Sequence, residues 1–122
     1  MDVVAGVCSR NSTYLVGLRP SHKRAGGLWE FPGGKIEAEE TIEDALRREW
    51  QEELGVELTS AAQVLATMRN DTFTIKFIEV GVRGEPVALE HEELLWATVN
   101  ELSELPMHSY DSQFVVTYLG GD

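Results

Sequence analysis

The chain has one cysteine in 122 residues, Cys8. A single thiol excludes an internal disulfide and a zinc site built on a cysteine cluster. Cys8 lies in the apolar stretch Val3–Cys8 and reads as a buried structural thiol. Cations are scarce as well: 10 Lys and Arg stand against 21 Asp and Glu, a formal net charge of −11. Binding a nucleic-acid polymer needs a basic footprint that this balance does not supply. No segment has the roughly 20-residue apolar length of a transmembrane helix. Met1–Arg10 also lacks the basic start and long apolar core of a signal peptide. No membrane partner is therefore expected, and a cytoplasmic location is. Repeats, low-complexity tracts and linkers are absent too. The apolar fraction of 43% is ordinary for a soluble chain. The length suits a single domain over residues 1–122, burying about two-thirds of its unfolded surface.

Apolar patterning predicts strands at Val3–Cys8 and Tyr14–Arg19, joined into a hairpin by the turn Ser9-Arg10-Asn11-Ser12. Pro20–Gly27 is a polar loop, and Leu28–Phe31 is a short strand running into Gly33 and Gly34. A helix over Thr41–Leu54 precedes strands Ala62–Met68 and Phe73–Val82, which flank a turn at Asn70-Asp71. Leu94–Val99 predicts a further strand, Asn100–Leu105 a short helix capped by Asn100, and Asp111–Leu119 a final helix. Strands around one long helix, with another at the end, make an α+β layered domain.

The long helix carries the chemistry. Thr41 and Asp44 predict a capping box at its start, and Gly55 a left-handed stop after Leu54. At about 100° per residue, Ile42, Leu46, Trp50 and Leu54 form an apolar stripe with Ala45 at its edge. Glu49, Glu52 and Glu53 stand at i, i+3 and i+4, so they share one side of the helix. In projection Glu53 falls between Ile42 and Leu46, and Glu49 between Ile42 and Ala45. A solvated charge run would occupy the opposite face, where Asp44, Arg47, Arg48 and Gln51 sit. Carboxylates crowded beside a buried stripe lose hydration and repel one another, at a cost on the order of several kcal/mol without compensating cations. A hard divalent cation with oxygen ligands resolves this, and Mg²⁺ bridging carboxylates to phosphates suits it best. Cations also cluster nearby, at Arg19, Lys23, Arg24 and Lys35. A basic patch beside an acidic helix suits a phosphate chain spanning both, and solubilising loop residues are the other reading of Lys23 and Arg24.

These residues belong to one longer pattern. From Gly34 the chain reads G-x5-E-x7-R-E-U-x-E-E-x-G-U, with U a bulky apolar residue, and every position is filled through Val56. At average composition the seven specified matches arise by chance on the order of 10⁻⁸ per starting position. The pattern resembles the Nudix box, the signature of hydrolases that split a pyrophosphate linked to a nucleoside or similar group. Leu18-Arg19-Pro20, Gly27–Glu37, Glu90–Trp96, Leu105-Pro106 and Asp111 are similar in kind and spacing to the MutT-type branch. That branch includes 8-oxo-dGTP diphosphatases and CTP pyrophosphohydrolases.

The resemblance implies a Nudix-type α/β/α sandwich with a mixed sheet and one long catalytic helix. It implies a metal site made by the Gly33 carbonyl with Glu49, Glu52, Glu53 and Glu90, filled by Mg²⁺ with Mn²⁺ as a substitute. Water would attack an inner phosphorus of a nucleoside triphosphate, giving nucleoside monophosphate and pyrophosphate. Glu49 is the first choice to take the proton and Glu90 the second; the other reading of Glu90 is a surface acid. Gly34, Glu40, Arg48 and Gly55 are the structural members of the box, with Arg48 pairing Glu40 to hold the loop on the helix. Arg19, Arg24 and Lys35 are candidate phosphate contacts. Phe31, with Leu28 or Trp29, is the candidate for packing on the base; the alternative for Trp29 is a core aromatic. Asp111 has two readings, an acceptor at the base edge and a helix N-cap. His22, His91 and His108 lack metal-ligand spacing and read as surface or packing residues.

Two departures stand out. Trp50 fills a position more often aliphatic, and Glu39 stands where many relatives have Gly, which predicts strain of roughly 1–2 kcal/mol if the loop needs positive φ. Expected substrates are oxidised or modified triphosphates such as 8-oxo-dGTP, with pyrimidine nucleotides (CTP or a 5-modified dCTP) as the alternative. A non-catalytic nucleotide-binding Nudix domain is the reading of another class, although such domains usually lose box carboxylates. Monomer and homodimer both stay open.

Overall fold

The computed structural model describes residues 1–120. Strands β1 (Asp2–Val7), β2 (Ser9–Arg10), β3 (Thr13–Leu18), β4 (Trp29–Glu30) and β5 (Gly33–Lys35) precede helix α1 (Ile42–Leu54). Strands β6 (Glu57–Arg69), β7 (Thr74–Arg83) and β8 (Glu93–Ala97) follow, then helices α2 (Val99–Leu102) and α3 (Ser109–Phe114). A π-helical segment, Val115–Leu119, continues from α3. One sheet has the order β5-β1-β7-β6 and is mixed, since β1 and β7 run parallel while the other pairs are antiparallel. A second sheet joins β2, β3 and β4, with β8 on the free side of β3. This is the expected α+β architecture. Among the described residues no helix is long and apolar enough to cross a membrane.

The period-2 alternation of strands explains the layering. On β1, Val4 packs with Leu46, Trp50 and Leu54 of α1. Ala5 and Val7 face the other way, packing with Phe77, Phe114 and Val115. Two apolar clusters on opposite faces of one sheet, each roofed by helix, constitute the sandwich. Trp50 is fully buried, and its indole N–H donates to the Pro32 carbonyl at 2.9 Å. An ideal Cβ on Gly6 would lie 2.5 Å from that ring, so β1 accommodates the aromatic by lacking a side chain there.

Several local expectations are corrected. The predicted first hairpin survives only at its tip, where Ser9 pairs with Tyr14 and Arg10 with Thr13. The chain then divides: β1 pairs with β5 and β7, and β3 enters the other sheet. Local apolar alternation cannot distinguish two strands of a hairpin from strands diverging into separate sheets. β6 is much longer than Ala62–Met68 because it is a largely exposed edge whose pairing shifts at three places, which breaks the alternation. At α1, Thr41 Oγ1 accepts from Asp44 N, but among the described residues the Asp44 carboxylate makes no reciprocal bond. A complete capping box stands instead at Thr98 and Glu101, so Thr98 caps the short helix and Asn100 lies inside it. The last helix begins earlier than expected: His108 is its N-cap and Asp111 lies within the first turn, so the capping reading of Asp111 is wrong.

Candidate active site

Glu53 shows how α1 shapes the site. Its place beside Leu46 and Trp50 leaves it 6% exposed, among the apolar residues that anchor the helix. Burial, reinforced by Glu49, Glu30 and Glu90, pushes its carboxyl up to about 9. Glu49, one turn earlier, is half-buried and also raised, first by burial, with Arg48 opposing and Glu52 and Glu90 adding to it. Glu90 arrives from the β7–β8 loop, which is pinned to the C-terminal end of α1. Val87 N donates to the Leu54 carbonyl at 2.9 Å and Leu89 N to the Glu53 carbonyl at 3.0 Å. Gly55, left-handed at φ 66°, ends the helix with its N–H on the Gln51 carbonyl.

Arg48 organises the other wall. Its Nε and Nη2 grip the two Glu40 oxygens at 2.7 and 2.9 Å, and Nη2 also donates to the Lys35 carbonyl at 3.0 Å. Nη1 reaches Glu49 Oε1 at 3.0 Å. The fork holds Glu40 down at about 2, chiefly through its hydrogen bonds. The 35–40 loop is thus strapped to α1, as the box residues suggest. Glu39 in that loop has φ 70°, the strained conformation anticipated for a non-glycine there. A Cβ on Gly34 would collide with the Glu49 carboxylate and one on Gly33 with the Val4 carbonyl, so both positions serve close approach rather than a left-handed turn.

Glu49, Glu53, Glu90, Gly33 and Lys23 share a cavity of about 220 Å³. Glu52 stands outside that lining, on the exposed side, 3.7 Å from Arg48. Among the described residues no three His, Cys, Asp or Glu side chains come together closely enough to hold a metal ion by themselves. The donor chemistry nevertheless fits a hard divalent cation: oxygen donors in one cavity, with one carboxyl driven far out of its usual range by burial and its acidic neighbours.

A larger cavity, about 620 Å³, adjoins the first and shares Arg19, Glu30, Gly33 and Gly34 with it. Asp111 and Phe31 line it, with Phe73, Ile75 and His108. Phe31 packs edge-on against Phe77 and Phe114 and is 3% exposed, so it forms part of the wall rather than a free stacking platform. Asp111 reaches this wall because the segment before α3 is stitched to β4. Trp29 N donates to the Pro106 carbonyl at 2.9 Å and His108 N to the Trp29 carbonyl at 3.2 Å. Burial pushes the Asp111 carboxyl up to about 7, with the Phe31 N–H opposing and Glu30 reinforcing the shift. Arg24 and Arg19 lie at the rim of this cavity, with Arg19 Nε on the Arg24 carbonyl at 2.6 Å. Leu28, Trp29 and the Lys35 side chain line neither cavity; Trp29 is a core aromatic.

Two residues of this region were not anticipated from the sequence. Glu30 lies on the wall common to both cavities, and His91, read as a surface or packing residue, is buried against it. Glu30 precedes the box within a short strand. His91 follows Glu90 directly, which is the one signal that pointed to it.

The NUDIX domain family model matches residues 2–118. A CTP pyrophosphohydrolase of Escherichia coli (strain K12) is 32% identical over 123 residues, covering 98% of this chain and 91% of that protein. An 8-oxo-dGTP diphosphatase of Proteus vulgaris is 43% identical over 72 residues, 58% of this chain and 63% of that protein, just under two thirds of its length. Among solved structures, a MutT from a study of the Aliivibrio salmonicida and Vibrio cholerae proteins superposes with a TM-score of 0.87 at 31% identity, covering 99% of this chain and 98% of that one.

Proposed function

Since this chain belongs to the Nudix hydrolase family, we propose that residues 1–122 act as a divalent-cation-dependent nucleoside triphosphate pyrophosphohydrolase, releasing nucleoside monophosphate and pyrophosphate. The observation that carries the reading is the pair of adjoining cavities. One is large enough for a nucleobase and ends on Asp111; the other gathers Glu49, Glu53 and Glu90. Arg19, common to both, suits the phosphates that would cross between them.

Nudix hydrolases generally use a divalent metal. Here Mg²⁺ is the proposed ion and Mn²⁺ its substitute, and Glu49, Glu53, Glu90 and the Gly33 carbonyl would hold it. Glu52, on the exposed side and 3.7 Å from Arg48, would be a further ligand. The bound ion supplies phosphate-charge neutralisation and a lowered pKa for the attacking water. The protein's own groups do the rest. Arg19 and Lys23 steady the phosphate chain. The water oxygen bonds to an inner phosphorus while the anhydride P–O bond breaks and pyrophosphate leaves. Glu49, whose burial raises its proton affinity, takes the water proton; Glu90 is the second choice. At the base, Asp111 would offer the oxygen not held by Phe31 N–H, Oδ1, which lies 3.7 Å from His108 Nδ1 on the cavity wall.

Substrates are assigned to the class of oxidised or modified triphosphates such as 8-oxo-dGTP. A pyrimidine-directed reading, CTP or a 5-modified dCTP, is favoured by the nearly full-length similarity to the CTP pyrophosphohydrolase. The test is pyrophosphate and phosphate release from common NTPs and dNTPs, 8-oxo-dGTP and 5-methyl-dCTP, with Mg²⁺ and with EDTA. Mg²⁺-dependent pyrophosphate release peaked on one base supports the proposal and selects between its two forms. A folded protein inactive on the whole panel overturns it in favour of a non-triphosphate substrate or of nucleotide binding without turnover.

A further inference from the structure

His91 is the anomaly of the site. Its side chain is 3% exposed, yet its Nε2 lies 3.0 Å from Glu30 Oε2 and 3.7 Å from Glu53 Oε1. Its Nδ1 is buried with no partner among the described residues. A proton on Nδ1 alone would bury an unpaired N–H and turn a lone pair toward the Glu30 carboxylate. Nε2 is therefore the donor, and Glu30 the acceptor. Glu30 stands on the wall shared by the two cavities, and Glu53 lines only the smaller one.

The strand beneath is shaped for this ring. Gly17 of β3 pairs with Glu30 of β4, and cross-strand partners project to the same face. Gly17 projects nothing, and His91 occupies the space. An ideal Cβ at Gly17 would lie 2.5 Å from His91 Cδ2 and 2.9 Å from its Nδ1. Gly17 has no positive φ to explain it. The missing side chain is accounted for by the imidazole it admits.

We propose that His91, seated over Gly17, is a positioning residue: through Nε2 it holds Glu30 beside Glu53, aligning the base-side cavity with the carboxylate cavity. This rests on the pyrophosphohydrolase reading above. Groups that orient metal ligands are worth about 10–100-fold in metal affinity or activity when lost. His91 lies 3.7 Å from Glu53, longer than a hydrogen bond, and acts on that ligand mainly through Glu30, which it holds beside Glu53.

The experiment compares the wild type with His91→Gln, His91→Asn, His91→Leu, Gly17→Ala and the Gly17→Ala/His91→Leu pair. Mg²⁺ affinity is read by calorimetry without substrate, and KM and kcat on the best panel nucleotide. Gln can place its amide N–H where Nε2 stands, whereas the shorter Asn cannot. His91→Gln is expected to hold Mg²⁺ within about threefold of wild type, and His91→Asn and His91→Leu to weaken it about 10–100-fold with kcat falling more than KM rises. Gly17→Ala should weaken it similarly by displacing the ring, and the pair should be no worse than His91→Leu alone, since both act on one contact. If His91→Leu binds Mg²⁺ like the wild type, or His91→Gln is as impaired as His91→Asn, the proposal is overturned. Should the Leu variant not fold, the Gln–Asn contrast and Gly17→Ala decide in the same way. A wild type that neither binds Mg²⁺ nor turns over any nucleotide overturns the underlying reading instead.

Discussion

The backbone N–H of Phe31 donates to Oδ2 of Asp111 at 2.8 Å, joining residues 80 apart in the chain. This bond ties the strand entering the box to the first turn of the last long helical segment. It also closes the wall of the larger cavity with an ionisable group that is 4% exposed.

The pH dependence of stability follows from it. Asp111 is raised from 3.8 to about 7, primarily by burial. Glu30 and His108, whose Nδ1 is 3.7 Å from Asp111 Oδ1, are the other titratable groups around it. A folded value above the unfolded one means that the native state binds the proton more tightly. Its contribution is then full below about pH 4 and is lost as pH rises through about 7. The integrated loss is at most about 4 kcal/mol. Denaturant titrations between pH 4 and 8 should show this decline in the wild type and a flatter profile in Asp111→Asn. Asn preserves an acceptor for Phe31 N–H but does not ionise. On the nucleotide panel Asp111→Ala should change the base preference while pyrophosphate release stays detectable.

The carboxylates of α1 should respond unequally to removal of charge. Glu53→Gln is expected to lower turnover at least about hundredfold while raising the melting temperature in EDTA, because it removes a buried acid pressed by Glu49, Glu30 and Glu90. Glu52→Gln should also lower turnover by about that factor but leave metal-free stability almost unchanged, since Glu52 is exposed. Equal stabilisation by both, or full activity in either, would contradict the arrangement described.

Divalent-metal binding should be visible without substrate. At a Mg²⁺ concentration one hundred times its dissociation constant, linkage supplies about 2.7 kcal/mol. For a domain of this size that is a rise of roughly 10 °C in melting temperature. EDTA should reverse it, and Glu53→Gln should abolish most of it. An unchanged melting temperature across the Mg²⁺ titration would remove the metal site from the reading.

The Glu39 backbone supplies a test confined to folding. At φ 70° it occupies a region that disfavours any residue with a Cβ. Glu39→Gly should therefore stabilise the protein by about 0.5–1 kcal/mol, the strain relieved less the added entropy of the unfolded chain. Chemical denaturation would measure it, and a destabilised Gly variant would show that Glu39 makes a contact outweighing its strain.

Much of this was legible beforehand because it is local. The run Gly34–Val56 specifies helix, cap, apolar stripe and displaced carboxylates by spacing alone, since i, i+3 and i+4 relations hold in any helix. The buried Glu53, the Gly55 cap and the Arg48–Glu40 strap correspond to that reading. The positive φ at Glu39 does as well. Strand periodicity likewise located most strands, but not which sheet they enter: β1 and β3 look like a hairpin in sequence and diverge after Cys8.

What the chain determined by itself was the chemistry of one helix and the loop before it, because a helical repeat converts sequence distance directly into geometry. What only the tertiary structure decided was which remote groups meet that helix. Asp111 was a capping residue or a pocket residue until the segment before α3 bonded to β4. Glu30 and His91 were an unremarked strand acid and a packing imidazole until β3 left Gly17 bare beneath them. Those pairings depend on long-range backbone register, and register is set by the packing of both faces of the sheets at once.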